Sequence, residues 1–64
     1  MEFVYVMIID NDWEDLVIFL NEKEAIDKSN KNPNIRIEIF GKKPDMDGYS
    51  PTYNYYKGGK LYTV

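Results

Sequence analysis

The sequence predicts a small α+β domain in the order β-β-α-β-β-β, with one short helix on a mostly antiparallel sheet and a C-terminal hairpin. Three observations carry that prediction. Residues 3–9, FVYVMII, are β-branched and aromatic with no polar member, as a strand covered on both faces and central in its sheet would be. Residues 34–40, NIRIEIF, alternate, with Ile35, Ile37 and Ile39 on one face and Arg36, Glu38 and Phe40 on the other. The closing YNYYKGGKLYTV holds Gly58-Gly59, which supplies the positive φ of a two-residue hairpin turn.

The elements follow in order. After the first strand, Asp10-Asn11-Asp12 reads as a turn. Leu16 to Leu20, LVIFL, reads as a second strand, and Asn21 then caps a helix from about Glu22 to Lys31. Asn21 stands three residues before Glu24, the capping-box spacing with Asn in place of Ser or Thr, and Leu20 and Ala25 occupy the staple positions. Glu22 and Glu24 in the first turn and Lys28 and Lys31 in the last suit the helix dipole, and Asn32-Pro33-Asn34 stops the helix.

A rival reading runs one long helix over residues 12–31 in a β-α-β crossover, because Trp13, Leu16, Val17 and Leu20 fall at helical spacing. Five successive apolar residues would then surround that helix, and Asn21 would lose its purpose, so the strand reading is preferred. Residues 41–51, GKKPDMDGYSP, carry two prolines and two glycines and read as a loop.

Composition bounds the function. A chain of 64 residues is one domain, near the lower limit for folding without disulfides or a metal, and a large enclosed pocket in a monomer is not expected. With no Cys and no His, thiolate zinc sites, cysteine nucleophiles and the commonest general base are excluded. The net charge of −3 disfavours long-range attraction of nucleic acid. Only seven consecutive apolar residues precede Asp10, too few for a membrane span, so the expectation is a soluble, cytoplasmic protein.

Phe, Tyr, Met, Ile, Asn and Lys fill 32 of the 64 positions, and seven Lys accompany one Arg, the bias of an AT-rich genome such as many phages, viruses and bacteria have. VYVMI, IFLNEKEAIDKS and IRIEIF, spanning residues 4–40, resemble a pattern of small phage and viral accessory proteins: a strand hairpin, a capped helix and a return strand. That resemblance carries no catalytic motif. It implies a viral protein acting in the host cytoplasm, with no residue-level role attached.

The candidate chemistry is thin. Asp10 to Asp15 places acids as a calcium loop begins, but Asp15 and Asn21 stand where an EF-hand needs Gly and Glu. Glu38 faces Arg36 on one strand face as a surface pair rather than as a member of an acid–base pair. Gly41-Lys42-Lys43 and Lys57-Gly58-Gly59-Lys60 could hold a phosphate, yet neither completes the phosphate-loop pattern. No catalytic residue, cofactor or metal ligand is assigned, and no enzyme activity is expected.

Pairing across the double glycine sets Lys57 opposite Lys60, Tyr56 opposite Leu61, Tyr55 opposite Tyr62, Asn54 opposite Thr63 and Tyr53 opposite Val64. Tyr53, Tyr55, Tyr62 and both lysines then share a face, and with Trp13 they form the candidate interface for a protein or ligand. Packing alone is a sufficient reason for the rings. The opposed lysines are a local cost that a bound anion would relieve, with a base stacked on a tyrosine.

One short helix offering chiefly Ala25 and Ile26 cannot cover a sheet apolar on both faces, so a homo-oligomer or a partner is expected. The leading expectation is a self-associating, non-enzymatic binding protein that engages or inhibits a host protein, such as a defence factor. The alternatives are an oligomer that sequesters a small nucleotide-type anion, and a minor structural component of a viral particle.

Overall fold

The computed structural model describes residues 2–10 and 12–64. It contains five strands and one α-helix: β1 (Glu2–Ile8), β2 (Leu16–Phe19), α1 (Glu22–Lys31), β3 (Ile37–Lys42), β4 (Ser50–Lys57) and β5 (Lys60–Tyr62). The strands form one antiparallel sheet in the order β2-β1-β3-β4-β5. The α+β class and the β-β-α-β-β-β order therefore hold, and the long-helix alternative does not: Trp13–Asp15 is a single 3-10 turn, and the chain straightens at Leu16. Asp12 caps that turn, its Oδ1 accepting from the Glu14 N–H at 3.0 Å. Its own N–H closes back on the Ile9 carbonyl at 3.2 Å, while Asn11, part of the expected turn, lies outside the described residues.

Two rows of side chains, one residue per strand, define the faces. Val17, Met7, Ile37, Tyr56 and Leu61 lie side by side beneath the helix, and Ile18, Val6, Glu38, Tyr55 and Tyr62 lie side by side on the open face. β1 is an interior strand as the all-apolar run over residues 3–9 requires, but β3 holds the centre. The difference follows from pairing: β3 takes β1 on one side and the start of the C-terminal hairpin on the other.

The core of Tyr5, Met7, Ile37, Ile39 and Tyr56 is closed by Ala25, which is fully buried, with Ile26 packed beside it. A methyl group at position 25 lets the helix approach the sheet closely. Asn21 caps α1 as expected, its Oδ1 accepting from the N–H of Lys23 at 2.8 Å and of Glu24 at 3.3 Å. Leu20, by contrast, is 78% exposed and supplies little staple packing to Ala25. At the other end the Asn32 backbone N–H and side-chain Nδ2 both donate to the Lys28 carbonyl, ending the helix. Asn21→Ala is expected to cost about 1 kcal/mol, read as a fall in melting temperature of about 4–8 °C for a domain of this size.

The segment expected as a loop over residues 41–51 is shorter than that. β3 runs on through Gly41 and Lys42, which pair with Phe3 and Glu2, and β4 already begins at Ser50. The long N-terminal strand supplies backbone partners that local composition does not reveal. Gly41 is consequently a buried strand residue, and the Gly41-Lys42-Lys43 cluster forms no phosphate-binding loop.

Candidate functional site

The C-terminal hairpin is built on its double glycine. Gly58 and Gly59 take φ of 60° and 79°, as the expected turn demands, and the ladder pairs Lys57 with Lys60, Tyr56 with Leu61 and Tyr55 with Tyr62. The turn is also tied to the helix. The Gly59 N–H donates to Ser29 Oγ at 2.9 Å, and Ser29 is fully buried in α1. That contact gives the buried Ser29 hydroxyl a partner, and it occupies an N–H that an anion over the turn would otherwise use.

A Cβ added at Gly59 would collide with the side-chain oxygen of the exposed Asn30, and the left-handed φ would disfavour any such residue. Gly59→Ala is expected to destabilise by about 1–2 kcal/mol, the cost of a side chain in the left-handed region. Gly58→Asn, in the Asn-Gly order that this turn type favours, is expected to be near neutral. Chemical denaturation of the two variants measures the contrast.

Tyr55, Tyr62, Lys57 and Lys60 share the open face, but two of the candidate residues stand apart. Between Glu38 and Phe40 there is one β3 residue, whereas between their partners Tyr55 and Pro51 there are three, so β4 bulges at residues 52–54. Tyr53 lies in this bulge with φ 69° and is 68% exposed, so it has left the hairpin ladder instead of facing Val64. Thr52 holds the irregularity: its hydroxyl donates to the Ile39 carbonyl at 2.7 Å and accepts from the Asn54 N–H at 3.2 Å. The Asn54 side chain in turn accepts from the Val64 N–H, which draws the C-terminal end along β4 without a paired Thr63. Trp13, 79% exposed, precedes β2 and so lies at the opposite edge of the sheet from β5.

The sequence did not reveal what happens to Tyr55. Arg36 lies over its ring at 3.6 Å from the centroid, and the same guanidinium pairs with Glu38 at 3.0 Å through Nε. Tyr62 stacks against Tyr55 with centroids 5.1 Å apart and planes within 7°. Because β3 and β5 flank β4, Arg36 and Tyr62 occupy the two sides of the Tyr55 ring. Within this stack a base therefore finds only the outward face of Tyr62 free, and that face ends at a sheet edge.

Beside this stack the open face dips into a concavity of about 530 Å³ bounded by Val6, Ile8, Asp10, Ile35, Arg36 and Glu38. Val4, Ile8, Leu16 and Phe40 are half-buried on the same face, and Ile18 and Tyr62 are 52% and 42% exposed. The surface is apolar and aromatic at its middle with an ion pair set into it, a composition typical of protein contacts. No family model, curated protein or solved structure matches this chain.

Under the helix, the Tyr56 hydroxyl donates to Glu22 Oε2 at 2.9 Å. Burial, that hydrogen bond and the charge of Glu22 push the phenol up to about 12. Burial and then Glu22 raise Tyr5, whose ring centroid is 6.3 Å from that of Tyr56. Both phenols hold their protons more firmly than a free tyrosine, so neither is an activated base or nucleophile. Among the described residues no three carboxylates gather as a metal site would need, and no helix is long and apolar enough to cross a membrane.

Lys57 and Lys60 now have a structural setting. Lys60 opens edge strand β5, where a lysine discourages unwanted strand pairing, Lys57 ends the neighbouring β4, and the turn between them is bound to the last turns of α1, whose dipole is negative at that end. These effects offset part of their mutual repulsion without any ligand.

Proposed function

We propose that this protein is a non-enzymatic binding protein that self-associates and engages a protein partner through the open face of its sheet. One observation carries the reading: a single helix lies on one face, while the other presents Val4, Ile8, Phe40 and Tyr55 half-buried and Tyr62 exposed around the buried Val6, with no second layer of helix or strand over them among the described residues. Arg36 and the two stacked tyrosines are the side-chain types that act as interface anchors, held rigid by one another. The concavity beside them accepts a side chain from the partner.

The AT-rich coding bias and the resemblance over residues 4–40 support a phage or viral source, in which the partner is a host protein and binding inhibits it. Acids outnumber bases, so the partner surface is expected to be basic, as surfaces made for nucleic acid are.

The test is capture of partners from a host lysate by the wild-type chain and by Phe40→Asp, which puts a charge at the centre of the open face. Loss of a contact of this kind costs about 2 kcal/mol or more of binding, close to 30-fold in affinity. A partner retained equally by Phe40→Asp removes the open face from the reading, and no partner for the wild-type chain removes the reading itself.

A further inference from the structure

The two edges of the sheet are unlike, and they match each other. Four successive antiparallel pairings separate β2 from β5, so the two edge strands run in the same direction and both start at the same end of the sheet. At that end β2 is preceded by Asp12, Glu14 and Asp15, all exposed, while β5 begins with Lys60 beside Lys57, both exposed. One edge is acidic at its start and the other basic.

We infer that copies of this chain associate head to tail, β5 of one pairing in parallel with β2 of the next, which rests on the self-association part of the reading above. Placing the sheets side by side with the same face outward extends both cross-sheet rows. Tyr62 meets Ile18 of the next copy on the open face, and Leu61 meets Val17 beneath the helices. Those four side chains are exposed in the single chain by 42%, 52%, 52% and 37% respectively, and each gains an apolar cross-strand neighbour. In that register Lys60 falls beside Leu16 of the next copy, and the Lys57–Lys60 pair stands against Glu14 and Asp15.

The symmetric alternatives lack this agreement. An antiparallel β2–β2 pair turns Glu14 and Asp15 of one copy toward Glu22, Lys23 and Glu24 past the far end of the other strand, a net negative group against a negative one. A β5–β5 pair offers lysines with no acid anywhere in residues 57–64. Opposite charges thus select the mixed edge, and the opposed lysines gain a partner that the isolated hairpin withholds. Because the junction joins two different patches, it repeats from copy to copy instead of closing as a two-fold dimer does. It is short and parallel, so the association is weak, rises with concentration and is sensitive to salt.

The experiment is light scattering over a concentration series, using wild type, Lys57→Glu/Lys60→Glu and Glu14→Lys/Asp15→Lys. Circular dichroism of each establishes that it is folded. The wild-type mass is expected to climb past a dimer without a plateau, and to fall toward the monomer in 1 M salt. Each double variant alone, with like charges on both edges, is expected to remain a monomer. Their equimolar mixture, in which every junction again joins acid to base, is expected to regain mass. Should a charge reversal disturb folding, Ile18→Lys, at a position already exposed, tests the junction from its apolar side and is expected to give a monomer. A plateau at the dimer, self-association of either double variant, or a mixture that stays monomeric overturns the head-to-tail arrangement while leaving self-association in place. A wild-type chain that is monomeric throughout overturns self-association as well, and leaves partner capture by the open face to its own test.

Discussion

Ile37→Ala is expected to leave most of the chain unfolded at 37 °C. Ile37 is fully buried at the start of the middle strand, between Met7 and Tyr56 and beneath the helix. Truncating a buried Ile to Ala costs about 2–5 kcal/mol, and a domain of this length rarely has more than about 3–5 kcal/mol in total. The loss is therefore of the same size as the whole stability. Far-ultraviolet circular dichroism against temperature would detect it, and a cooperative transition close to that of the wild type would mean that the core can collapse around the missing carbons. Ile37→Val, which removes one methylene, is expected to cost only about 0.5–1.5 kcal/mol and to leave the fold intact.

Alkaline pH is expected to unfold the protein through Tyr56. Its phenol is held up at about 12 in the folded chain, against an ordinary value of 10.0 that the unfolded chain regains. The folded state thus binds this proton more tightly. Below pH 10 the stabilisation is fully present, and it is lost as the pH rises from about 10 through about 12. A difference of two units corresponds to at most roughly 3 kcal/mol, less the part that comes from the exposed and therefore screened Glu22. Tyr5, raised by burial and by the same Glu22, adds to the loss in the same direction. Denaturation midpoints measured from pH 8 to 12 should fall across that window.

Tyr56→Phe separates the causes. At neutral pH it forfeits the hydrogen bond to Glu22, a contribution of about 1.5–3 kcal/mol for a charged acceptor, reduced here because Glu22 is exposed. Above pH 10 it removes the titrating phenol, so its stability should vary less with pH than that of the wild type. An equally steep alkaline loss in the variant would place the cause in other tyrosines.

The parts of the structure legible in the sequence are those decided within a few residues. Asn21 and Asn32 bound α1 because a cap needs only the N–H groups two and three residues onward or the carbonyl four residues back. The Gly58-Gly59 turn fixed the three pairs nearest to it for the same reason, whereas the expected Asn54–Thr63 and Tyr53–Val64 pairs do not form. The Arg36–Glu38 pair followed from strand alternation, and so did the row of isoleucines.

The candidate site was legible only in part. Tyr55, Lys57, Lys60 and Tyr62 were grouped correctly by register, whereas Tyr53 was displaced by a bulge that depends on Thr52 reaching the Ile39 carbonyl on another strand. Nothing near Tyr55 in the chain announced that Arg36 would cover it. Trp13 was placed with the tyrosines by residue type, and the sheet order put it at the other edge.

By itself the sequence determined the element types, the ends of the helix, the hairpin register and the excess of apolar surface over what one helix can cover. Capping geometry, strand alternation and positive φ act over one turn or one strand, so their causes are written side by side in the chain. Only the tertiary structure decided that Glu22 holds Tyr56, that Ser29 holds the glycine turn, and that an acidic edge and a basic edge begin at the same end of the sheet. Those contacts join residues 34 and 30 positions apart or depend on strand order. They exist because packing the sheet against α1 brings distant side chains together, a consequence of the whole fold that no local pattern encodes.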